Sequence, residues 1–296
     1  HPALQRMVFD ELLAQRVSMQ FARQRLTELN APFMKKESDY RSRFLQELPF
    51  SLTAAQQRVS QEIEEDLSKT KPMLRLIQGD VGCGKTTVAA LAALQAIANG
   101  YQVALMVPTD LLSEQHTANL QTWLKPMGIH CGRLSGKMKV KERRIILAQL
   151  ANNECQLLVG THALFQETVE FHQLGLIIID EQHRFGVEQR LLLQKKGQTS
   201  QHIPHQLLMT ATPIPRTLAM THFGHLDISV IDELPPGRMP INTVVINQER
   251  REPIIERLKT AIEVGRQIYW VCTLIEESET LQCTAATLTA EQLRQQ

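Results

Sequence analysis

Apolar residues recur at helical spacing from the start of the chain. Leu4, Met7, Val8, Leu12 and Leu13, then Val17, Phe21 and Leu26, carry the repeat until Asn30, Ala31 and Pro32 break the pattern. This predicts a long amphipathic helix over residues 1 to about 30. A polar, charged stretch from Lys35 to Arg43 follows. A new element opens at Phe50-Ser51-Leu52-Thr53, where Thr53 is placed to cap a helix running through Ile63 to Leu67. From there short apolar runs alternate with helical stretches: Met73 to Gln78, Val103 to Pro108, Leu157 to Gly160, Leu176 to Asp180 and Leu207 to Thr210. Apolar runs this short, spaced by helices, read as buried parallel strands of a doubly wound α/β domain. Pro235-Pro236-Gly237 and nearby Pro240 mark a hinge or linker. Beyond it a β-rich run at Thr243 to Ile246, a helix near Pro253 to Glu263 and a strand at Gln267 to Cys272 suggest a second α/β unit without a closing strand. The expected organisation is a helical arm over 1–47, the main α/β domain over 48–236, and the start of a second domain over 237–296.

Composition adds little to this picture but excludes some classes. Of 296 residues, 43% are apolar and 21% charged, the balance of a soluble globular chain, and no long uncharged apolar run could span a bilayer. The first residues lack the features of a signal peptide and there is no initiator Met, so the chain is expected to begin inside a longer one. Cys83, Cys131, Cys155, Cys272 and Cys283 form no CxxC pair, which argues against disulfides or zinc and for a reducing, cytoplasmic setting. With a formal charge of +1, a nucleic-acid partner would have to be held by a local basic face.

The candidate chemistry begins after the first apolar run. Gly79-Asp80-Val81-Gly82-Cys83-Gly84-Lys85-Thr86 is a complete G-x-x-x-x-G-K-T, followed by Thr87 and an apolar helix from Val88 to Ala98. Strand, loop and helix arrive in the order a phosphate-binding loop requires. The glycines let successive N–H groups and the helix start point at phosphate oxygens, Lys85 adds a cation, and Thr86 supplies a hydroxyl for Mg²⁺. Cys83 reads as a small filler. The buried run Leu176-Ile177-Ile178-Ile179 then delivers Asp180 and Glu181 at its C-terminal end, where open α/β sheets place their ligands. Asp180 can share Mg²⁺ with Thr86, and Glu181 can orient or deprotonate an attacking water.

Asp180-Glu181-Gln182-His183 resembles the DExH box of nucleic-acid helicases. Val107-Pro108-Thr109 with Leu111-Leu112 and Glu114-Gln115-His116 resembles their first DNA-contacting motif, Gly160-Thr161-His162 the next, and Thr210-Ala211-Thr212-Pro213 the motif that couples hydrolysis to motion. The runs Asp180 to Val187, Ala211 to Thr217 and Asp232-Glu233-Leu234-Pro235-Pro236-Gly237-Arg238 are similar to the RecG family of ATP-dependent DNA helicases over essentially the whole chain. Gln182 and the Glu-Leu-Pro-Pro-Gly-Arg run favour that family over the transcription-repair coupling translocases. An ABC-type Leu-Ser-Gly-Gly-Gln signature is absent. An alternative of another class is a nucleotide-binding module that is inactive without a second domain.

The resemblance implies a RecA-like P-loop domain that uses ATP and Mg²⁺ to remodel forked or branched DNA in recombination and repair. It implies an acting monomer in the bacterial cytoplasm at the nucleoid, with a single-strand-binding protein as a candidate further partner and no membrane. It also implies a wedge domain before the helical arm and a complete second RecA-like domain bearing the arginine finger. By this likeness Lys85, Asp180, Glu181, Gln182 and His183 are catalytic, and Gly79 to Thr87 bind the nucleotide. Phe50 and Gln56 belong to the segment that reads adenine, Thr210, Thr212 and Arg216 couple hydrolysis to motion, and Thr109, Thr161 and His162 meet DNA. The densest basic cluster, Arg133, Lys137, Lys139, Lys141, Arg143 and Arg144, has two readings, a phosphate-neutralising face or a solvated helix start. Lys137 and Lys139 are its DNA-binding candidates.

Overall fold

Strands form where the apolar runs predict them, and two more form beside them. The computed structural model describes residues 6–14, 17, 20, 29–36, 38–200, 202–212, 226–235, 241–247, 251–272 and 286–295. Its strands are β1 (Leu74–Gly79), β2 (Gln102–Met106), β3 (Cys131–Leu134), β4 (Leu157–Gly160), β5 (Leu174–Ile179), β6 (His205–Thr210) and β7 (Asp227–Ile231). They pair in parallel in the order β3-β4-β2-β5-β6-β1-β7. The helices around them are α1 (Asp39–Glu47), α2 (Ala54–Leu67), α3 (Lys85–Ala98), α4 (Asp110–Leu124), α5 (Val140–Ala151) and α6 (Val187–Gly197). This is a RecA-like α/β fold.

Every residue of β2 and β5 is buried, because helices cover both faces of a parallel sheet. Alternate residues of each strand serve opposite cores: Ile77, Ile178 and Leu207 join one cluster, Leu76, Ile177 and Leu208 the other. The two strands missing from the sequence reading, β3 and β7, are the sheet edges. Arg133 in β3, and the exposed Asp227, Ile228 and Val230 in β7, replace the continuous apolar run with a mixed pattern.

Thr53 caps α2 as predicted. The Gln56 N–H donates to Thr53 Oγ1 (3.2 Å), and the Thr53 N–H donates to Gln56 Oε1 (2.9 Å), a reciprocal capping box. Residues 6–14, 17 and 20 are helical, whereas Leu4, Phe21 and Leu26 of the predicted stripe lie outside the described residues. Ala31, Met34, Phe44 and Leu48 are buried, the last three in the same core as α2 and α3, and Phe44 meets Trp123 edge-on at 5.9 Å. His205 ties this segment to the sheet: its Nδ1 accepts from the Met73 N–H (3.0 Å) and its Nε2–H donates to the Pro32 carbonyl (2.8 Å). Burial holds this imidazole below the usual histidine range, against the opposing pull of the Pro32 carbonyl and Asp66.

The chain divides into two units, His1–Arg238 and Met239–Gln296. In the second, a helix α7 (Arg251–Glu263) buries Ile255, Arg251 stacks over Trp270 at 5.3 Å, and α8 spans Ala286–Gln295. The strands expected at 243–246 and 267–272 are not formed. Among the described residues neither segment has a strand beside it, and β-propensity without a pairing partner leaves the backbone unsatisfied and no strand to hold.

Candidate nucleotide site and the groove beside it

The loop between β1 and α3 is shaped by its glycines. Gly82 and Gly84 take φ of 79° and 88°, left-handed values that cost other residues energy. A Cβ on Gly84 would lie 2.2 Å from Gln56 Nε2, and one on Gly79 would lie 2.5 Å from Cys83 Sγ. The loop is therefore closed on both sides against side chains and leaves its backbone as the available surface. Lys85 opens α3 and donates from Nζ to the carbonyls of Gly79 (2.7 Å) and Asp80 (3.0 Å), so the cation is held over the loop. The Val81 N–H donates to Asp80 Oδ1, fixing the turn. Cys83 is fully buried and burial pushes its thiol up, so it is the inert filler expected. Thr86 is half-buried and Thr87 buried on the first turn of α3.

Gln56 sits under the loop rather than in the open. Its Nε2 donates to the Cys83 carbonyl (2.8 Å) while its Oε1 serves the α2 cap, and the residue is buried. Both ends of the amide are thus engaged by protein; an adenine edge would have to exchange with one of these bonds. Phe50 is exposed.

Asp180 and Glu181 leave the C-terminal end of β5. The Asp180 N–H donates to the Met106 carbonyl (2.8 Å), which locks the strand end against β2. Its Oδ1 accepts from the Glu181 N–H (3.0 Å) and its Oδ2 faces His116 Nε2 at 3.0 Å. Glu181 itself takes φ 50° and ψ 54°, an uncommon left-handed conformation for a non-glycine residue and a store of strain of the kind found at functional sites. Its Oε2 lies 3.5 Å from both the Ala211 N–H and His183 Nδ1. Gln182 is buried, its Oε1 without a partner among the described residues, and His183 is exposed. Thr210 and Thr212 share a hydroxyl hydrogen bond of 2.8 Å. Arg216 lies outside the described residues.

An open groove runs beside the acidic pair, lined by Pro108, Thr109, Leu112, Glu181, His183, Arg184, Phe185 and Thr212. Thr109 caps α4, its Oγ1 accepting from the Leu112 N–H (3.2 Å). Thr161 follows β4, buried with its hydroxyl unpartnered among the described residues, and exposed His162 begins the short 3-10 turn beyond it. Of the basic cluster, Arg133 is paired with Glu114 (2.7 Å) on the edge strand, Lys137 and Lys139 are exposed on the turn before α5, and Arg143 is bonded to Gln166. The cluster therefore spans strand, turn and helix instead of one helix start.

The strand order puts these parts along one edge. Ile179 pairs with Leu208, Leu208 with Leu76, and Gln78 with Thr210, so Gly79 and Ala211 leave β1 and β6 level with each other, and Asp180 leaves β5 at the same end of the sheet two residues earlier. A family model described as DEAD/DEAH box helicase matches residues 53–221, the stretch that holds all of them. The chain belongs to the DEAD/DEAH box helicase family. Members of this family use ATP. The chain is 56% identical over 295 residues to the ATP-dependent DNA helicase RecG of Pasteurella multocida, covering 99% of this chain and 43% of that protein. It is 58% identical over 287 residues to the RecG of Haemophilus influenzae, covering 97% and 41%. The chain thus spans about two fifths of the relatives it matches. A solved structure described as RecG bound to a three-way DNA junction aligns with TM-score 0.78 and 38% identity, covering 88% of this chain and 35% of that one.

Two groups of residues had no assigned role in the sequence reading. His116 was visible only as the end of a motif, because nothing in one sequence tells that a helix residue reaches the end of a strand 64 residues further on. Glu233 accepts from the Ala55 N–H (3.0 Å) and Arg58 donates to Asp232 (2.9 Å), so the exit from β7 is bound to the start of α2. The acidic pair at 232–233 was legible as a run but not as a cap.

Proposed function

We propose that this chain is the ATP-binding motor portion of a RecG-type DNA helicase, which couples ATP hydrolysis to movement on branched DNA. The observation that carries this reading is the convergence, at one end of one sheet, of a glycine-shaped loop with its lysine and a buried carboxylate followed by a strained glutamate. In this reading residues 48–236 are the ATP-binding domain, 1–47 the arm leading into it, and 237–296 the start of a second motor domain. The break in packing after Arg238 and the similarity to RecG over nearly the whole chain support it.

The loop N–H groups from Gly79 to Thr87 and Lys85 bind the phosphates, with Phe50 and Gln56 on the adenine side. Lys85 exchanges its bonds to the Gly79 and Asp80 carbonyls for phosphate oxygens, so that the ammonium meets an anion where it now meets neutral acceptors. Thr86 and Asp180 offer one hydroxyl and one carboxylate, the hard oxygen donors that suit Mg²⁺, which is held by one or two carboxylates together with substrate phosphates rather than by an all-protein cage. Mg²⁺ bound there would neutralise charge on the phosphate oxygens. Glu181 orients the attacking water and accepts its proton. Gln182, His183, Thr210, Thr212 and Arg216 pass the state of the nucleotide to the groove. Thr109, Thr161, His162, Lys137 and Lys139 hold DNA through its backbone, where basic and hydroxyl groups give position rather than sequence.

The test is Mg²⁺-dependent ATP hydrolysis by this chain with and without forked DNA, beside Lys85→Ala and Glu181→Gln. Stimulation by DNA that both substitutions abolish supports the motor reading. Binding through Lys85 without turnover in any condition reduces the chain to a nucleotide-binding wall. No binding at all removes the reading.

A further inference from the structure

Among the described residues, the buried side-chain polar atoms that lack a hydrogen-bond partner are Ser113 Oγ, His116 Nδ1, Thr161 Oγ1 and Gln182 Oε1. All four belong to segments that leave the C-terminal ends of three adjacent strands: α4 after β2, the turn after β4, and the turn after β5. Buried polar groups are nearly always paired, so an unpaired set gathered at one edge calls for a reason. His116 is the member with a partner on its other side. Its Nε2 lies 3.0 Å from Asp180 Oδ2, the arrangement in which the ring N–H donates to the carboxylate. Oδ1 is held by the Glu181 N–H, so the plane of the carboxylate is fixed from two directions. His116 stands on α4, and the first turn of that helix, Thr109 to Leu112, borders the groove.

We infer that His116 is a positioning residue: it holds the Asp180 carboxylate in the orientation that receives the divalent cation, and through α4 it makes that orientation respond to a nucleic-acid backbone in the groove. The inference rests on the proposed nucleotide site and adds to it a physical link between groove and metal ligand. A helix moves as a rod, so displacement of its first turn is felt two turns later at His116, and the unpartnered Nδ1 and Ser113 Oγ leave the helix polar capacity for a second arrangement.

The experiment is titration of Mg²⁺ into this chain with a fluorescent ATP analogue, with and without forked DNA, for the wild type, His116→Leu and His116→Gln. Losing a group that orients a metal ligand typically costs about 10–100-fold in metal affinity, and His116→Leu is expected to raise the Mg²⁺ midpoint by that amount. Analogue binding in EDTA should stay unchanged, and the effect of DNA on the midpoint should vanish. His116→Gln, whose amide N–H can reach the same carboxylate, should restore both. An unchanged midpoint in His116→Leu overturns the inference, as does an equal loss of EDTA binding in both variants, which marks a packing role. If the wild type binds no analogue, or binds it equally well after Lys85→Ala, the nucleotide site itself falls and the inference with it.

Discussion

The two halves of the proposed site are built in different ways. On the loop side, between β1 and α3, the polar groups are engaged: Lys85 is bonded to two carbonyls, Gln56 to the loop and to its own helix cap, and Cys83 fills the space beneath Gly79. On the acidic side, after β5, Glu181 sits in a strained conformation, its carboxylate lies 3.5 Å from the Ala211 N–H and from His183 Nδ1, and Gln182 and Thr161 are buried with side-chain atoms that have no partner among the described residues. The loop side is held by hydrogen bonds within the protein. The acidic side stores strain and unmet hydrogen bonds, which is what a region that must change state with its ligand needs.

That contrast predicts opposite responses to substitution. The largest effect is expected at Glu181→Gln, which should lower ATP turnover about 10²–10⁴-fold through loss of the base while leaving nucleotide binding intact. Turnover and binding measured side by side will check it, and equal loss of both would erase the distinction between the halves. Gly84→Ala comes next. It places a methyl 2.2 Å from Gln56 Nε2 at φ 88°, and the left-handed penalty alone is about 1–2 kcal/mol. Nucleotide binding and the urea midpoint should fall together. Glu181→Gly should do the reverse, raising stability by about 0.5–1 kcal/mol once relief of strain is set against the added freedom of the unfolded chain, while turnover is lost. A thermal melt that shows destabilisation would mean that the strain is not stored there.

His205 offers a test of the scaffold that carries both halves. His205→Leu leaves the Met73 N–H and the Pro32 carbonyl unpaired, at a cost of about 2–4 kcal/mol in denaturant unfolding. The folded state favours the neutral ring, whose ordinary pKa is 6.5, so its contribution is complete above that pH and is lost as the pH falls from 6.5 through the lower folded-state value. Wild-type stability measured between about pH 8 and pH 5 should decline on the acid side, and His205→Gln should flatten that decline. At the small end, replacing Lys137 and Lys139 with Ala should reduce the salt dependence of DNA binding by a slope of about 2, with stability unmoved. Arg133→Ala, which breaks a partly exposed pair with Glu114, should cost only about 0.2–1 kcal/mol.

Much of this was readable along the chain. The central strands were legible because burial on both faces writes an uninterrupted apolar run, and the loop because its glycines, lysine and threonine are each demanded by the same local geometry. The edge strands β3 and β7 were not, since half-exposed strands carry charges such as Arg133 and Asp227 that break the run. The expected strands at 243–246 and 267–272 failed for a related reason: β-branched and aromatic residues state a preference, and only a neighbouring strand turns it into structure.

By itself the sequence determined what depends on near neighbours: the capping box at Thr53 and Gln56, the loop from Gly79 to Thr86, and the delivery of Asp180 by a buried strand. The tertiary structure decided which distant groups meet. It set Gln56 under Cys83, His116 against Asp180, Glu233 at the start of α2 and His205 between Pro32 and Met73. Side-chain chemistry and spacing fix a turn of backbone within a few residues, but partners separated by tens of residues are chosen by strand order, and strand order is a property of the whole sheet.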